Sequence, residues 1–277
     1  MTRKLLIMAN WKMNLSFTES VNLARAIQRH RKKIKDECDV VLFPSHTALD
    51  AVRRVLRGTK TILGAQNMFW ADQGNFTGEI SPQQLRELGC TWTLIGHSER
   101  REHLNETDDM VGRKVSAALR YGLTPVVCVG ETSDQRAEER SEMVVQRQIR
   151  EAFRYVHPPF PGQRIIIAYE PLWAISPGRP CNPDDATAMA PIIRQALIDQ
   201  YDANHLEANF TIVYGGSVDA SNLCLYLTGQ ELDGALIGNA SLKTETLFPI
   251  LEAASSFVKP KGSSKKSRRG TSKPKRS

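Results

Sequence analysis

Residues 165–175 read IIIAYEPLWAI, an apolar run that places one carboxylate, Glu170, directly before a proline. Three successive isoleucines indicate a β-strand that is buried on both faces, as in a parallel sheet. Pro171 cannot donate to a β-ladder, so the strand ends at Glu170. A carboxylate there, followed by an apolar loop that could close over it, suits a general base shielded from water. A surface glutamate at a strand exit explains the stretch equally well.

The composition is typical of a globular protein, because 41% of the 277 residues are hydrophobic and 24% are charged. A chain of this length forms one large α/β domain or two smaller ones. The first apolar run ends at Asn10, which is too early for a signal peptide, and no stretch approaches the about 18 apolar residues of a membrane helix. Five scattered cysteines without a C-x-x-C pair predict reduced thiols, not disulfides or zinc ligands. We therefore expect a cytoplasmic protein.

The positive charge is concentrated at the C-terminus. Nine of the 37 Lys and Arg residues lie in 259–277, which contains no acid, so the 28 others face 30 acidic residues and sum to −2. We predict a folded domain over residues 1–257 and a disordered Lys/Arg/Ser-rich tail over residues 258–277. The tail is expected to be a solubilising extension. The alternative is weak, salt-sensitive contact with nucleic acid or an acidic partner, without the interleaved aromatic residues that support base stacking.

Eight apolar, strand-like runs recur along the chain at intervals of roughly thirty residues, which is the size of one βα unit. They are residues 5–11, 40–44, 61–65, 92–96, 125–130, 164–170, 210–214 and 234–238. Segments with helical periodicity lie between them, and strand–helix alternation implies parallel strands joined by right-handed crossovers. Eight such units predict a single (β/α)8 barrel of the α/β class. The alternative is an open doubly wound sheet, but no G-x-G-x-x-G follows the first strand.

In a (β/α)8 barrel the functional side chains lie at the carboxyl-terminal ends of the strands. Lys12 follows the first strand and is either a surface lysine or a fixed cation for an anionic substrate. His97 follows the fourth strand and precedes a predicted helix with Ser98 as its N-cap. The positive end of that helix would disfavour a protonated imidazole, leaving a neutral hydrogen-bond donor. A histidine that is merely satisfied at a strand end is the alternative.

Glycine-rich turns follow the seventh and eighth strands. Residues 215–217 read GGS, residues 238–239 read GN, and a helical pattern follows each turn. Backbone N–H groups at such turns bind anions, and glycine lets the backbone approach the anion closely. Tight turns also use Gly-Gly without any ligand, but two adjacent turns and the Ser217 hydroxyl favour a phosphate site.

Eight motifs, in order and at family spacing, resemble triosephosphate isomerases from about residue 4 to residue 255. They are NWKMN (10–14), GAQN (64–67), FTGE (76–79), IGHSERR (95–101), CVGE (128–131), YEPLWAI (169–175), YGGSV (214–218) and GNASL (238–242). The resemblance implies interconversion of dihydroxyacetone phosphate and D-glyceraldehyde 3-phosphate through an enediol, with no cofactor and no metal.

The resemblance also assigns roles to individual residues. It implies that Glu170 is the base, that His97 is the neutral electrophile and that Lys12 supplies positive charge. Asn10 lines the site, and Glu99 is a carboxylate near the lysine. The phosphate-binding residues implied are Ser176, Ser217, Gly238 and Asn239.

The sequence departs from the family pattern at two places. The family usually continues after Ala-Ile with Gly-Thr-Gly-Lys or a similar sequence, whereas residues 176–180 read SPGRP. Two prolines restrict the backbone there and predict a stiffer lid. Asn239 stands where the family usually has a second glycine. We expect retained isomerase activity with altered closure or a modestly different preference among small phosphorylated ketoses.

The loop over residues 68–79 carries three aromatic residues, Phe69, Trp70 and Phe76, in a polar and glycine-rich setting. Loops of this length are usually functional, and exposed aromatic residues suggest an interface. The family inserts this loop into a partner subunit with the equivalent of Thr77 at the tip, so we expect a homodimer. The alternative is a loop folded back on its own barrel.

Two other functions compete with the triose isomerase. One is a related isomerase acting on a tetrulose phosphate. The other is a catalytically idle barrel used as a binding scaffold, with the basic tail as its working part. The presence of Lys12, His97 and Glu170 together argues against an idle site.

Overall fold

The computed structural model describes residues 4–35, 37–158, 162–175, 180–229 and 231–257, and within them eight parallel strands close into a barrel. The strands are β1 (Leu5–Asn10), β2 (Cys38–Phe43), β3 (Ile62–Ala65), β4 (Trp92–Ile95), β5 (Thr124–Val129), β6 (Ile165–Tyr169), β7 (Phe210–Tyr214) and β8 (Gly234–Ile237). Each strand pairs with the next one along the chain, and β8 pairs with β1. The predicted (β/α)8 barrel is therefore confirmed, and the open sheet is wrong.

Helices follow the strands along the chain and form the outer layer. Among the described residues they are α1 (Phe17–Arg31), α2 (Leu49–Leu56), α3 (Pro82–Glu87), α4 (Ser98–Leu104), α5 (Asp108–Arg120), α6 (Ser133–Ala137), α7 (Ser141–Ala152), α8 (Pro183–Ile198), α9 (Ala203–Asn209), α10 (Leu223–Leu227) and α11 (Thr244–Ser256). Short 3₁₀ turns also occur over Leu172–Ala174 and Asn239–Ser241. None of these helices is both long and apolar enough to cross a bilayer.

Local sequence sets where several of these helices begin. Ser16 and Glu19 form a reciprocal capping box at the start of α1. Thr132 and Gln135 form the same arrangement at the start of α6. Asn182 caps α8, whose first residue is a proline that has no N–H to satisfy. In each case a side-chain oxygen accepts an N–H that the first helical turn leaves without a partner.

Alternation along the strands separates the barrel interior from the layer beneath the helices. In β6, Ile166 and Ala168 pack inside the barrel with side chains from the other strands, whereas Ile167 and Tyr169 pack against the helices. Successive side chains of a strand point to opposite faces, so Glu170 continues the inward series of Ile166 and Ala168. The same alternation turns Asn10 inward at the end of β1, after Leu6 and Met8. The fold thus aims both polar side chains at the barrel mouth.

Residues 258–277, for which we predict a disordered tail, lie outside the described residues. The division of the chain into a barrel over residues 1–257 and this tail stays a prediction.

Candidate active site

A cavity of about 270 Å³ lies at the carboxyl-terminal mouth of the barrel. Seven of the residues predicted from the sequence line it, namely Asn10, Lys12, His97, Glu170, Ser217, Gly238 and Asn239. Glu99 does not line the cavity, but its Oε1 accepts a hydrogen bond from Lys12 Nζ. Ser176 lies outside the described residues. The structure therefore gathers side chains from β1, β4, β6, β7 and β8 that are far apart in sequence.

Glu170 is buried, with 1% of its surface exposed. Its Oε2 accepts a hydrogen bond of 2.9 Å from the Ser98 N–H, at the first residue of α4. Its Oε1 has no hydrogen-bond partner within the described part of the chain and lies 3.4 Å from His97 Nε2. One carboxylate oxygen is thus held in place while the other keeps its lone pairs for a ligand. A Cβ added at Gly215 would come 2.7 Å from Glu170 Cγ, so a glycine is required beside it.

His97 acts as the N-cap of α4, which corrects the prediction that Ser98 is the cap. Its Nδ1 accepts the Glu99 N–H at 3.2 Å. β4 ends at Ile95, and Gly96 with a φ of +73° turns the chain so that the imidazole reaches the first turn. A ring nitrogen that accepts a backbone N–H carries no proton, so the neutral imidazole has its proton on Nε2. That nitrogen is the one near Glu170 and the cavity.

Lys12 sits in a strained turn directly after β1, with a φ of +53°. Its N–H donates to Asn10 Oδ1 at 3.0 Å, and its carbonyl accepts from Gln66 Nε2 at 2.8 Å. Its Nζ lies 2.5 Å from Glu99 Oε1. A Cβ at Gly238 would come 3.0 Å from Lys12 Cε, so that glycine leaves room for the lysine. Backbone strain tends to persist where the surroundings hold it for function, and here two side chains hold it.

The glycine turns after β7 and β8 both border the cavity. Gly215, Gly216, Ser217, Gly238 and Asn239 all line it. The Ser217 N–H donates to the Ala174 carbonyl at 3.2 Å, which connects the β7 turn to the segment after β6. The two turns predicted to share an anion therefore face one space.

Sequence reasoning missed a charged cluster behind His97. Glu106, which is 2% exposed on its side chain, accepts from the Gly96 N–H at 2.9 Å and from Lys114 Nζ at 2.7 Å, and it also pairs with Arg100. Burial by itself would raise the pKa of Glu106, but Lys114 and Arg100 together hold it below its usual range. The cluster fixes the Gly96 peptide that precedes His97. The sequence did place Arg100, Glu106 and Lys114 within one short stretch. Ion pairs are common on exposed helices, however, so this stretch did not predict a buried cluster.

Glu131, the last residue of the CVGE motif, was given no role from the sequence. It is fully buried, accepts hydrogen bonds from the Tyr169 hydroxyl at 3.1 Å and from Trp173 Nε1 at 2.8 Å, and so connects β6 to the segment that follows. Burial, helped by Glu131, raises the pKa of Tyr169, so its hydroxyl stays protonated and donates. Arg136 lies over the Trp173 ring at 4.1 Å. These contacts anchor the chain on both sides of Glu170.

Fold and cavity together define the class: a (β/α)8-barrel enzyme whose cavity is lined by a carboxylate, an imidazole, a lysine and two glycine-rich turns. The family model described as triosephosphate isomerase matches residues 5–254. A triosephosphate isomerase from Caldanaerobacter subterraneus is 43% identical over 249 residues, covering 90% of this chain and 99% of that protein. One from Dictyoglomus thermophilum is 38% identical over 251 residues, covering 91% and 100%.

The chain therefore belongs to the triosephosphate isomerase family, and the resemblance inferred from the eight motifs is confirmed. It is an aldose–ketose isomerase by that membership.

Proposed function

We propose that the protein interconverts dihydroxyacetone phosphate and D-glyceraldehyde 3-phosphate through an enediolate, the isomerisation used in glycolysis and gluconeogenesis. The observation that carries the proposal is the unpartnered Glu170 Oε1, which lies 3.4 Å from His97 Nε2 in the cavity that Lys12 also lines. Family membership and the names of the relatives support the same reaction.

Glu170 acts as the base in this proposal. Its Oε1 takes the proton from the hydroxyl-bearing carbon next to the substrate carbonyl and returns it to the carbonyl carbon. The hydroxyl proton passes to the former carbonyl oxygen, so the carbonyl and hydroxyl exchange places. A positioned general base typically contributes about 10²–10⁴-fold to the rate. The burial of Glu170 keeps water from competing for the proton.

His97 and Lys12 stabilise the charge that develops on the substrate oxygen. The Nε2–H of His97 donates a hydrogen bond to that oxygen, and the Lys12 ammonium adds a fixed positive charge, with Asn10 beside it. A preorganised donor of this kind is typically worth about 3–4 kcal/mol in the transition state. Glu99, 2.5 Å from Lys12 Nζ, holds the ammonium in position.

The turns after β7 and β8 bind the phosphate in this proposal, through backbone N–H groups and the Ser217 hydroxyl. Ser176 is proposed as a further donor from the lid. Binding at this wall holds the reacting carbons between Glu170 and His97, which provides the proximity that catalysis needs.

A coupled assay on the purified protein tests the proposal, with Glu170→Asp as the comparison. Glu170→Asp withdraws the carboxylate by about one methylene, a displacement that costs roughly a hundredfold in rate where geometry is critical. Turnover of glyceraldehyde 3-phosphate that Glu170→Asp lowers by this amount supports the proposal. Absence of turnover by the wild-type protein contradicts it and leaves the scaffold alternative.

Substrate profiling separates the triose from the tetrulose alternative. The assay is repeated with four-carbon ketose phosphates at matched concentration. A kcat/KM that is highest for the triose supports the proposed substrate, whereas a higher value for a tetrulose phosphate overturns it.

We also propose a homodimer formed through the loop over residues 68–79. The Phe69 ring stacks on Trp70 at a centroid distance of 3.9 Å and lies tilted against Phe76 at 4.5 Å, so the aromatic residues form one cluster. Phe76 is nevertheless 45% exposed, and Met13 is 95% exposed. Exposed apolar residues of this size favour an interface. Sedimentation equilibrium of the wild type and of Phe76→Glu tests this, because a charge at the interface should yield a monomer. A wild-type monomer contradicts the proposal.

A cytoplasmic location is proposed on the state of the cysteines. Cys38, Cys90, Cys128, Cys181 and Cys224 are all free thiols. Burial raises the pKa of Cys90 to about 12, which makes that thiol unreactive. Free thiols suit a reducing compartment. Cell fractionation checks the location, and recovery outside the cytosolic fraction would overturn it.

A further inference from the structure

Gln148 is a buried polar residue of α7 with no role in the mechanism above. It is 6% exposed. Its Oε1 accepts the Gly130 N–H at 2.8 Å, and its Nε2 donates to the Gly130 carbonyl at 3.1 Å. One side-chain amide thus satisfies both backbone groups of a single residue at the end of β5.

The position of Gly130 explains why a side chain is needed there. The last paired residues of β4 and β5 are Ile95 and Val127, so β4 ends before the chain reaches Gly130. Gly130 is buried, and buried backbone groups require partners. The Gln148 carboxamide has the same donor and acceptor as a peptide group, and it replaces the missing strand neighbour.

Gly130 in turn lies against the main chain of Glu170. A Cβ added at Gly130 would come 1.8 Å from the Glu170 carbonyl oxygen. On either side of Gly130, the Val129 carbonyl accepts the Glu170 N–H at 2.7 Å, and the Glu131 carbonyl accepts the Leu172 N–H at 3.0 Å. A shift of the Gly130 peptide would therefore move the backbone that carries Glu170.

We propose that Gln148 is a positioning residue for Glu170, acting through the Gly130 peptide. The inference rests on the proposed function, since it assumes that Glu170 is the base. Gln148 lies on the helical side of the sheet and does not line the active-site cavity. Its effect should therefore fall on turnover, which depends on the placement of the base, and not on the affinity for the phosphorylated substrate.

The test uses two variants of Gln148 and one control in the full chain. Gln148→Met keeps the length of the side chain and removes both hydrogen bonds. Gln148→Glu keeps the acceptor for the Gly130 N–H and removes the donor at neutral pH. Gln28→Met is the control, because Gln28 donates to Thr61 Oγ1 at 2.8 Å from α1 and is absent from the lining of the active-site cavity. Tm, kcat and KM are measured for all three and for the wild type.

Gln148→Met is expected to lower kcat by about tenfold or more at a temperature well below its Tm, with KM changed by less than about twofold. Gln148→Glu should lower kcat at least as much, because its second carboxylate oxygen would face the Gly130 carbonyl. Gln28→Met should retain wild-type kcat whatever its Tm. If Gln148→Met does not fold, the kcat of Gln148→Glu tests the inference on its own. Wild-type kcat in the folded Gln148 variants overturns the inference, whereas an inactive wild-type protein overturns the proposed function instead.

Discussion

The two sides of the cavity differ in chemistry. The residues that β1, β4 and β6 contribute, called here the ionisable side, are Lys12, His97 and Glu170, and each is held by a further polar group. The side formed by β7 and β8 presents glycine backbone with Ser217 and Asn239. On the first side, function depends on which proton or charge is present. On the second side it depends on how closely a ligand can approach the backbone.

Substitutions on the two sides are expected to impair the enzyme in different ways. Loss of a side chain on the ionisable side should reduce the rate while leaving the space intact. Addition of a single carbon at Gly216 should displace the β7 turn while leaving the acid–base groups intact. Five measurements test this difference, in order of expected size.

The largest effect is expected from Glu170→Gln, which removes the base without changing the volume of the side chain. We expect kcat to fall by about 10²–10⁴-fold. Steady-state kinetics in both directions measure it. Glu142→Gln is the matched control, because Glu142 is exposed on α7 and should change nothing. A Glu170→Gln variant with more than a tenth of wild-type turnover would contradict the assignment of the base.

The second effect concerns the support of the ionisable side. Glu106→Gln leaves Lys114 buried without its counter-charge, and breaking a buried pair in this way typically costs about 3–5 kcal/mol. Urea denaturation measures the free energy of unfolding. Asp109→Asn is the control, since the Asp109–Arg113 pair is exposed and such pairs are worth about 1 kcal/mol or less. Equal destabilisation by the two variants would show that the buried Glu106–Lys114 pair contributes no more to stability than an exposed pair.

The stabilising effect of Glu106 should also depend on pH. Its pKa in the folded state is below the ordinary value of 4.5, so its contribution is present above pH 4.5 and is lost as the pH falls through the folded pKa. The stability gap between wild type and Glu106→Gln should therefore narrow in acid. A gap that stays constant from pH 6 to pH 3 would contradict the lowered pKa.

The third effect tests the glycine side through Gly216→Ala. The added Cβ would lie 2.2 Å from the Tyr214 hydroxyl, and Tyr214 is stacked on Tyr226 at 4.1 Å and fully buried, so it has little room to move. We expect KM to rise about tenfold because the β7 turn is displaced. Ser217→Ala, which removes a hydroxyl and adds no atom, should raise KM less. A larger effect of Ser217→Ala would reverse this interpretation.

The smallest effect is expected from Asn239→Gly. Asn239 is exposed at the β8 turn, and exposed substitutions usually change energies by about 0.5 kcal/mol or less, which is about twofold in kcat/KM. We expect such a change for the triose and a similar one for a four-carbon analogue. If the ratio between the two substrates changed by more than tenfold, Asn239 would be a determinant of specificity.

Most of the fold was predictable from sequence, and so were the ionisable residues that line the cavity. Eight apolar runs gave the barrel, and strand ends gave Lys12, His97 and Glu170, because strand period and strand order are local patterns. The residues that hold these side chains in position were harder to predict from sequence. Gln148 contacts Gly130 from 18 residues away on a helix, and no periodicity links a helix residue to one backbone peptide.

The same limit explains the one error in the local structure of the site. Ser98 has the preferred chemistry of an N-cap, but the turn at Gly96 places the His97 ring over the first helical N–H groups. Cap preferences are statistical, whereas the position of the turn depends on Arg101 and Glu106, which bind the Gly96 peptide from 5 and 10 residues further along the chain.

The alternation of side chains in β6 bears on how this barrel can evolve. Deleting one residue between Ile165 and Tyr169 would reverse the facing of everything that follows, so the Glu170 carboxylate would turn toward the helices. Exchanging one aliphatic residue for another in the same strand keeps the facing and costs only packing energy. Descendants of this gene should therefore vary freely in which aliphatic residues fill β6, while insertions and deletions accumulate in the loops.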